Sequence, residues 1–272
     1  MIKFSLLLCT YEKDDPRHLR ECLDSILAGS VLPDEMIIVK DGPLTKELDE
    51  VILSTAFPFD ANIIPLPTNQ TQGIARQTGV TAATHGWIAL MDSDDICLPN
   101  RFYKQCELIG KNPKIDILGG QIAEFDMDQS QAHASRQVPI QHDEILSYVK
   151  KRNPFNAMTV MFKKELAIRS GNFQHFPGFE DYDLWVRMIK NGAMCQNLED
   201  ILVYARTGSG MYSRRRGLGY IKHEWRMQRQ LFSLGITNAM QFIKNTFIRI
   251  PTRLLPKKTI ESIYLKFLRS KA

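Results

Sequence analysis

The feature that most restricts what this chain can become is the alternation of strand-like and helix-like runs through its first 110 residues. KFSLLLC (3–9), DEMIIVK (34–40), ANIIPL (61–66) and GWIALMD (86–92) are short apolar runs of strand length. Between them lie helix-period segments: Arg17 to Ala28, TKELDEVILS (45–54) and TQGIARQTGVTAA (71–83). A fourth helix is expected from Pro99 to about Gly110. A βαβαβαβ rhythm with short connections predicts an α/β fold, a parallel sheet covered by helices on both faces.

Such sheets bind ligands beyond the carboxyl ends of their strands. Here those ends carry Thr10-Tyr11-Glu12, Asp41-Gly42 and Asp92-Ser93-Asp94-Asp95. Neither GxGxxG nor GxxxxGK[ST] follows the first strand, so the two commonest nucleotide-binding loops are excluded. DSDD is the sharpest signal. Three carboxylates within four positions repel one another unless a cation neutralises them, and hard oxygen ligands suit Mg²⁺ or Mn²⁺ completed by a substrate diphosphate. An acidic turn capping the next helix is the plainer alternative.

Further along, DILGGQIAEFD (116–126) and NAMTVMF (156–162) read as strands and residues 127–137 as a polar loop. FPGFEDYDLWVRMIKNG (176–192) reads as a loop entering a helix, with Trp185 in the core. The pattern is helical from Gly217, with Pro251 and Pro256 as breaks. Five cysteines without CxxC spacing suit reduced thiols. Phe4–Cys9 is too short for a signal core of ~7–15 residues, and no apolar run reaches the ~18 needed to span a bilayer. Charge is unevenly divided. From Arg206 onward fifteen Lys and Arg face only Glu224 and Glu261, a net +13, whereas the preceding residues sum to −8. An acidic body with a basic tail suits an anionic surface and argues against nucleic acid.

SLLLCTYEKDD, RECLDSILAGS, PDEMIIVKDGP, GIARQTG, ALMDSDDICLPNRF and GFEDYDLWVRMIKNG stand in an order that resembles the inverting GT-A glycosyltransferases of family 2, particularly bacterial enzymes building O-antigen, capsule and exopolysaccharide. The likeness spans roughly residues 3–205. It implies a GT-A catalytic domain over 1–205, with a nucleotide-sugar half (1–98) and an acceptor half (99–205), followed by a basic helical segment over 206–272.

The resemblance also implies roles. Thr10, Tyr11, Glu12 and Asp41 would hold uridine, a carboxylate accepting the uracil N–H and Tyr11 lying against the base. Arg76 would face the nucleotide. Asp94 would ligate the metal, Asp92 the ribose or the metal, with Ser93 against the nucleotide and Asp95 supporting the loop. Glu180 and Asp181 match the acceptor-side ED motif, with Asp181 as general base; first-turn acids favouring a helix dipole are the alternative. The implied substrates are a UDP-hexose, glucose or galactose, and GlcNAc or GalNAc on undecaprenyl diphosphate, joined by a β1,3 bond. A sugar nucleotidyltransferase and an inactive nucleotide-sugar-binding protein are the competing readings.

One departure stands out. Many relatives carry a His after the last core strand, but here YARTGSGMYSRRRG has none before His223. Either the metal has fewer protein ligands, or Arg206 and Arg214–Arg216 take over part of the neutralisation of the diphosphate. From Thr237 to Ala272, apolar residues interleave with eight basic ones. This pattern predicts peripheral attachment to the cytoplasmic face of an anionic inner membrane, or a helical cover over the core.

Overall fold

The computed structural model describes residues 2–207, 217–255 and 259. Its first half follows the expected alternation: β1 (Phe4–Thr10), α1 (Pro16–Leu27), β2 (Glu35–Lys40), α2 (Lys46–Ser54), β3 (Asp60–Pro65), α3 (Gln72–Ala82) and β4 (Trp87–Asp92). After it come β5 (Ile96–Cys97), α4 (Arg101–Lys111), β6 (Ile117–Phe125), β7 (Ala134–Arg136), α5 (His142–Tyr148), β8 (Met161–Lys163), α6 (Lys164–Arg169), α7 (Glu180–Lys190), β9 (Cys195–Arg206), α8 (Leu218–Ser233) and α9 (Ala239–Thr252).

The strands form one sheet in the order β3-β2-β1-β4-β8-β6-β9-β5, with β7 paired to β6. The long registers are parallel: β1 with β2, β1 with β4, β2 with β3, and β6 with β9. The antiparallel pairings, involving β8, β7 and β5, are two or three residues long. Period-two alternation sorts side chains between the faces. Phe4, Leu6 and Leu8 join Met36, Ile38 and the buried residues of α1, α2 and α4. Leu7, Ile37, Val39 and Leu90 point the other way, to α3, α6 and α7. Trp185 is fully buried there, edge-on to Phe155, Phe162 and Phe173.

Local sequence accounts for the helix starts. Asp15 caps α1 through Arg17 N at 2.9 Å with Pro16 in the first turn, and Thr45 caps α2 through Leu48 N. Gly79 lets α3 lie on the sheet, because a Cβ there would come within 2.2 Å of Leu7.

Three expectations change. Residues 127–137 are not wholly a loop, because Ala134–Arg136 pairs with β6. The run 156–162 is mostly a 3₁₀ turn (Ala157–Thr159), leaving only Met161–Lys163 as strand. Pro251, expected as a break, stands inside the last turn of α9, which ends one residue later at Thr252; its missing N–H and its ring's clash with the carbonyl four residues back keep the helix from running on. Pro256 lies outside the described residues.

The C-terminal helices pack on the α/β body. Met227 and Leu231 of α8 are buried against Phe179, Tyr182 and Val186. Fully buried Glu224 accepts from Arg249 at 2.5 Å and Arg253 at 2.7 Å, tying α9 to α8. Asn245 and Arg249 donate to the carbonyls of Lys150 and Lys151.

Candidate active site

A cavity of about 550 Å³ opens at the carboxyl ends of β1, β2 and β4, where the topology predicts a ligand site. Its walls include Tyr11, Asp41, Arg76, Asp92, Ser93, Asp94, Glu180 and Asp181 from the sequence-derived set. Two members of that set lie outside the lining. Thr10 is buried beneath it, with its hydroxyl donating to Asp14 Oδ2 at 2.9 Å. Glu12 is exposed to solvent.

The carboxylate that does face the cavity from this loop is Asp14. Besides Thr10, it accepts from Ser93 Oγ at 2.7 Å and Tyr11 N at 3.2 Å, so it welds the β1 loop to the DSDD loop. Burial pushes its carboxyl above the ordinary carboxylate range, against those hydrogen bonds. The acidic run EKDD could have flagged it, but which acid turns inward depends on the turn after β1. Asp41 accepts from Gln70 N at 2.6 Å, while Asn69 donates to its carbonyl at 3.2 Å. Gly42 (φ +91°) is required at this corner, since a Cβ would meet Asn69 N at 2.7 Å.

The centre is an ion pair. Arg76 Nη2 donates to Asp92 Oδ1 at 2.7 Å, and its guanidinium lies 5.7 Å from the Phe173 ring centroid. Burial opposes its charge, but Asp92, Asp181 and Glu180 outweigh this and raise its pKa. Asp95 turns away from the cavity, is buried, and accepts from Arg206 N at 2.8 Å. Burial, then Asp94 and Asp92, push its carboxyl well up. Arg206 also donates to the Asp94 carbonyl and to Glu21. Its guanidinium thus braces the DSDD loop; Arg214–Arg216 lie outside the described residues.

At the start of α7, the three first-turn acids separate by role. Asp183 is buried and bound to Arg187 at 2.7 Å, a structural pair. Glu180 and Asp181 face the cavity. Burial raises the Glu180 carboxyl to about 7, with the Asp181 charge adding to the shift. Asp181 Oδ2 accepts from Asn153 Nδ2 at 2.7 Å. Arg136 of β7 and Tyr220 of α8 also line the cavity. Asn153, Arg136 and Tyr220 have no local sequence signal; Arg136 and Tyr220 reach the cavity, and Asn153 reaches Asp181, through long-range packing.

The donor set limits what metal could sit here. Among the described residues, no group of three or more His, Cys, Asp or Glu is arranged to hold an ion. Asp94 and the second oxygen of Asp92 fit a hard divalent cation that takes its remaining ligands from diphosphate and water.

This chain is similar to several proteins of known kind. It is 39% identical over 98% of its length to the whole of an uncharacterised glycosyltransferase from Haemophilus influenzae. It is 36% identical to the amylovoran biosynthesis glycosyltransferase AmsE of Erwinia amylovora, over 97% of this chain and 98% of that one. It is 35% identical to an Escherichia coli UDP-Gal:alpha-D-GlcNAc-diphosphoundecaprenol beta-1,3-galactosyltransferase, over 98% and 97%. Among solved structures, S. aureus TarS with UDP-GlcNAc superposes with a TM-score of 0.69 at 17% identity, covering 98% of this chain and 76% of that one. The Pyrobaculum calidifontis mannosyltransferase PcManGT, with GDP-Man and Mn²⁺, gives 0.64 at 13% identity, over 96% and 74%. The fold is therefore GT-A. Residues 5–173 match the model of Glycosyl transferase family 2, and with these relatives they establish that the chain belongs to that family of glycosyltransferases.

Proposed function

We propose that the enzyme transfers a hexose, galactose or glucose, from a UDP-sugar to GlcNAc or GalNAc on undecaprenyl diphosphate, inverting the anomeric centre to form a β1,3 bond. The observation that carries this reading is that Asp92 and Asp94 share one cavity with Asp181. Two carboxylates that would hold a cation for a diphosphate and a third that can receive a proton thus line the same cavity. The printed function of the E. coli relative supports the choice of donor, acceptor and linkage, and UDP-GlcNAc in TarS supports a uridine nucleotide.

In this mechanism Asp41 accepts the uracil imide N–H with the oxygen not used by Gln70, and Tyr11 lies against the base. Asp14 and Ser93 keep the two loops in register around the nucleotide. Arg76 holds Asp92 in position. Mn²⁺ or Mg²⁺, held by Asp94 and Asp92, would supply positive charge to the departing diphosphate. Asp181 takes the proton of the acceptor hydroxyl as that oxygen attacks the anomeric carbon and the bond to UDP breaks. Its neighbour Glu180, whose carboxyl burial raises to about 7, holds a proton in part of the population near neutral pH and in that form offers a hydrogen bond to the acceptor.

Work on an undecaprenyl acceptor occurs at the cytoplasmic face of the inner membrane. Among the described residues, no helix is long and apolar enough to cross a membrane, which is consistent with peripheral attachment to an anionic surface. The test is a panel of UDP-, GDP- and dTDP-sugars offered with a synthetic GlcNAc-diphospho-lipid, the product linkage being read by NMR. UDP-galactose or UDP-glucose should be used and a β1,3 product formed. Preference for a GDP- or dTDP-sugar would overturn the uracil-reading role of Asp41.

A further inference from the structure

The helices α8 and α9 present an outward face unlike the rest of the surface. On α9, Met240, Ile243 and Phe247 recur at i, i+3 and i+7 and are 79, 53 and 76% exposed, with Ile248 and Leu254 flanking them. The opposite side of α9 is spent on the body, through Asn245 and Arg249. On α8, Trp225 and Phe232 are 41 and 47% exposed. Both meet Phe242 of α9, at ring distances of 5.3 and 5.4 Å, so the two helices offer one continuous aromatic and aliphatic surface. A helix that turns its apolar stripe to solvent in this way marks a docking surface.

Charge identifies what docks. The exposed charges of α8 and α9 are Lys222, Arg226, Arg229 and Lys244, all basic, of which Arg226 is turned to the body over the Phe176 ring and the His175 carbonyl. The single acid of these helices, Glu224, is buried beneath Arg249 and Arg253. Those two arginines, which a count along the sequence assigns to a basic tail, are therefore turned inward. The outward face carries cations and apolar groups without an anion, the combination that inserts into an anionic lipid interface, with Trp at headgroup depth.

From this we infer that the enzyme sits on anionic lipid through the joint outward face of α8 and α9, centred on Trp225, Phe232, Ile243 and Phe247. The inference rests on the peripheral-membrane part of the function proposed above and names the face that performs it. Tyr220, five residues before Trp225 on α8, lines the catalytic cavity. Docking through this face thus holds the acceptor side of the cavity beside the bilayer, where a lipid-linked diphosphate emerges.

The test uses the full-length protein with phosphatidylcholine vesicles and with equimolar phosphatidylcholine–phosphatidylglycerol vesicles. Sedimentation measures binding, and tryptophan emission reports depth, since Trp185 is fully buried, Trp87 is half-buried at the start of β4 and Trp225 is the exposed indole of the outward face. The intact protein should bind the anionic vesicles with a blue shift that Trp225→Phe abolishes. Met240→Ser with Phe247→Ser, at positions already exposed, and separately Lys222→Gln with Arg229→Gln, should each weaken binding about tenfold or more. Transfer to a short-chain soluble acceptor should survive both double substitutions. Undiminished binding by both variants would move the membrane contact elsewhere and overturn the face, leaving peripheral attachment standing. No binding by the intact protein would overturn both. A dimer that the Met240 and Phe247 substitutions convert to monomer would make the face a contact between copies and would also overturn the proposal.

Discussion

The side-chain amide of Asn153 donates to Oδ2 of Asp181 at 2.7 Å, while the Asn153 backbone carbonyl accepts from Arg136 at 3.0 Å. One carboxylate oxygen is thereby fixed and the other left toward the cavity. Asp181→Asn keeps the shape but cannot take a proton, so kcat should fall about 10²–10⁴-fold with UDP affinity nearly unchanged. Asn153→Ala removes only the orienting bond, and its kcat should fall about tenfold. Single-turnover rates beside UDP calorimetry distinguish these outcomes, and collapse of UDP binding in Asp181→Asn would refute its role as base.

Asp94 lines the cavity from the DSDD loop, and among the described residues no group of three or more His, Cys, Asp or Glu is arranged to hold an ion. Asp94→Ala should lose nearly all transfer, and EDTA should silence the wild type until Mn²⁺ or Mg²⁺ is restored. Full turnover in chelator would remove the metal from the mechanism.

Arg76 and Asp92 form a largely buried pair at 2.7 Å. Removing one partner strands the other, so Arg76→Ala should lower unfolding free energy by about 3 kcal/mol and weaken UDP-sugar binding as well. Arg76→Lys retains charge but not the planar fork, and should recover stability better than donor affinity. Denaturant midpoints and donor titrations check both, and an unchanged midpoint in Arg76→Ala would rule out a structural role for the pair.

Burial raises Glu180 from 4.5 to about 7. Across that interval the native state holds a proton that the unfolded chain has released, so stability should fall as pH rises from 4.5 toward 7. The loss attributable to this group is roughly 3 kcal/mol. Glu180→Gln should flatten the dependence. Urea unfolding at a series of pH values measures it, and identical slopes in both proteins would be the contrary result.

Glu224 is the sole carboxylate between two arginines, with no exposed surface. Glu224→Gln should destabilise the protein by about 3–5 kcal/mol, and truncation before Thr237 should do so too, because it removes both arginines together with α9. Thermal unfolding of the truncated chain is the check. A melting temperature equal to that of the full chain would mean that α9 is dispensable to the body.

Much of the framework was legible locally. The strands from Phe4 to Asp92 are short apolar runs, and their helices carry caps and 3.6-residue periodicity, so neighbours in sequence decide their form. Tyr11, Asp41, Asp92, Ser93 and Asp94 could be named because a parallel strand must end at the ligand edge. The second half was less readable for a physical reason. β7, β8 and β5 span two or three residues each, too few to show a period, and they exist because β4, β6 and β9 offer them partners.

The amino-acid order by itself determined the class of fold, the ligand edge of the sheet and the acidic groups gathered there. The tertiary structure decided which groups of similar chemistry face the cavity. It turned Asp14 inward and Glu12 out, bound Asp183 to Arg187 while leaving Asp181 to Asn153, and drew Arg249 and Arg253 onto Glu224. Periodicity is a property of neighbours along the chain. The direction of a carboxylate depends on partners that are 28 residues away for Asp181 and 79 for Asp14, and only the packed sheet and helices bring those partners within hydrogen-bonding distance.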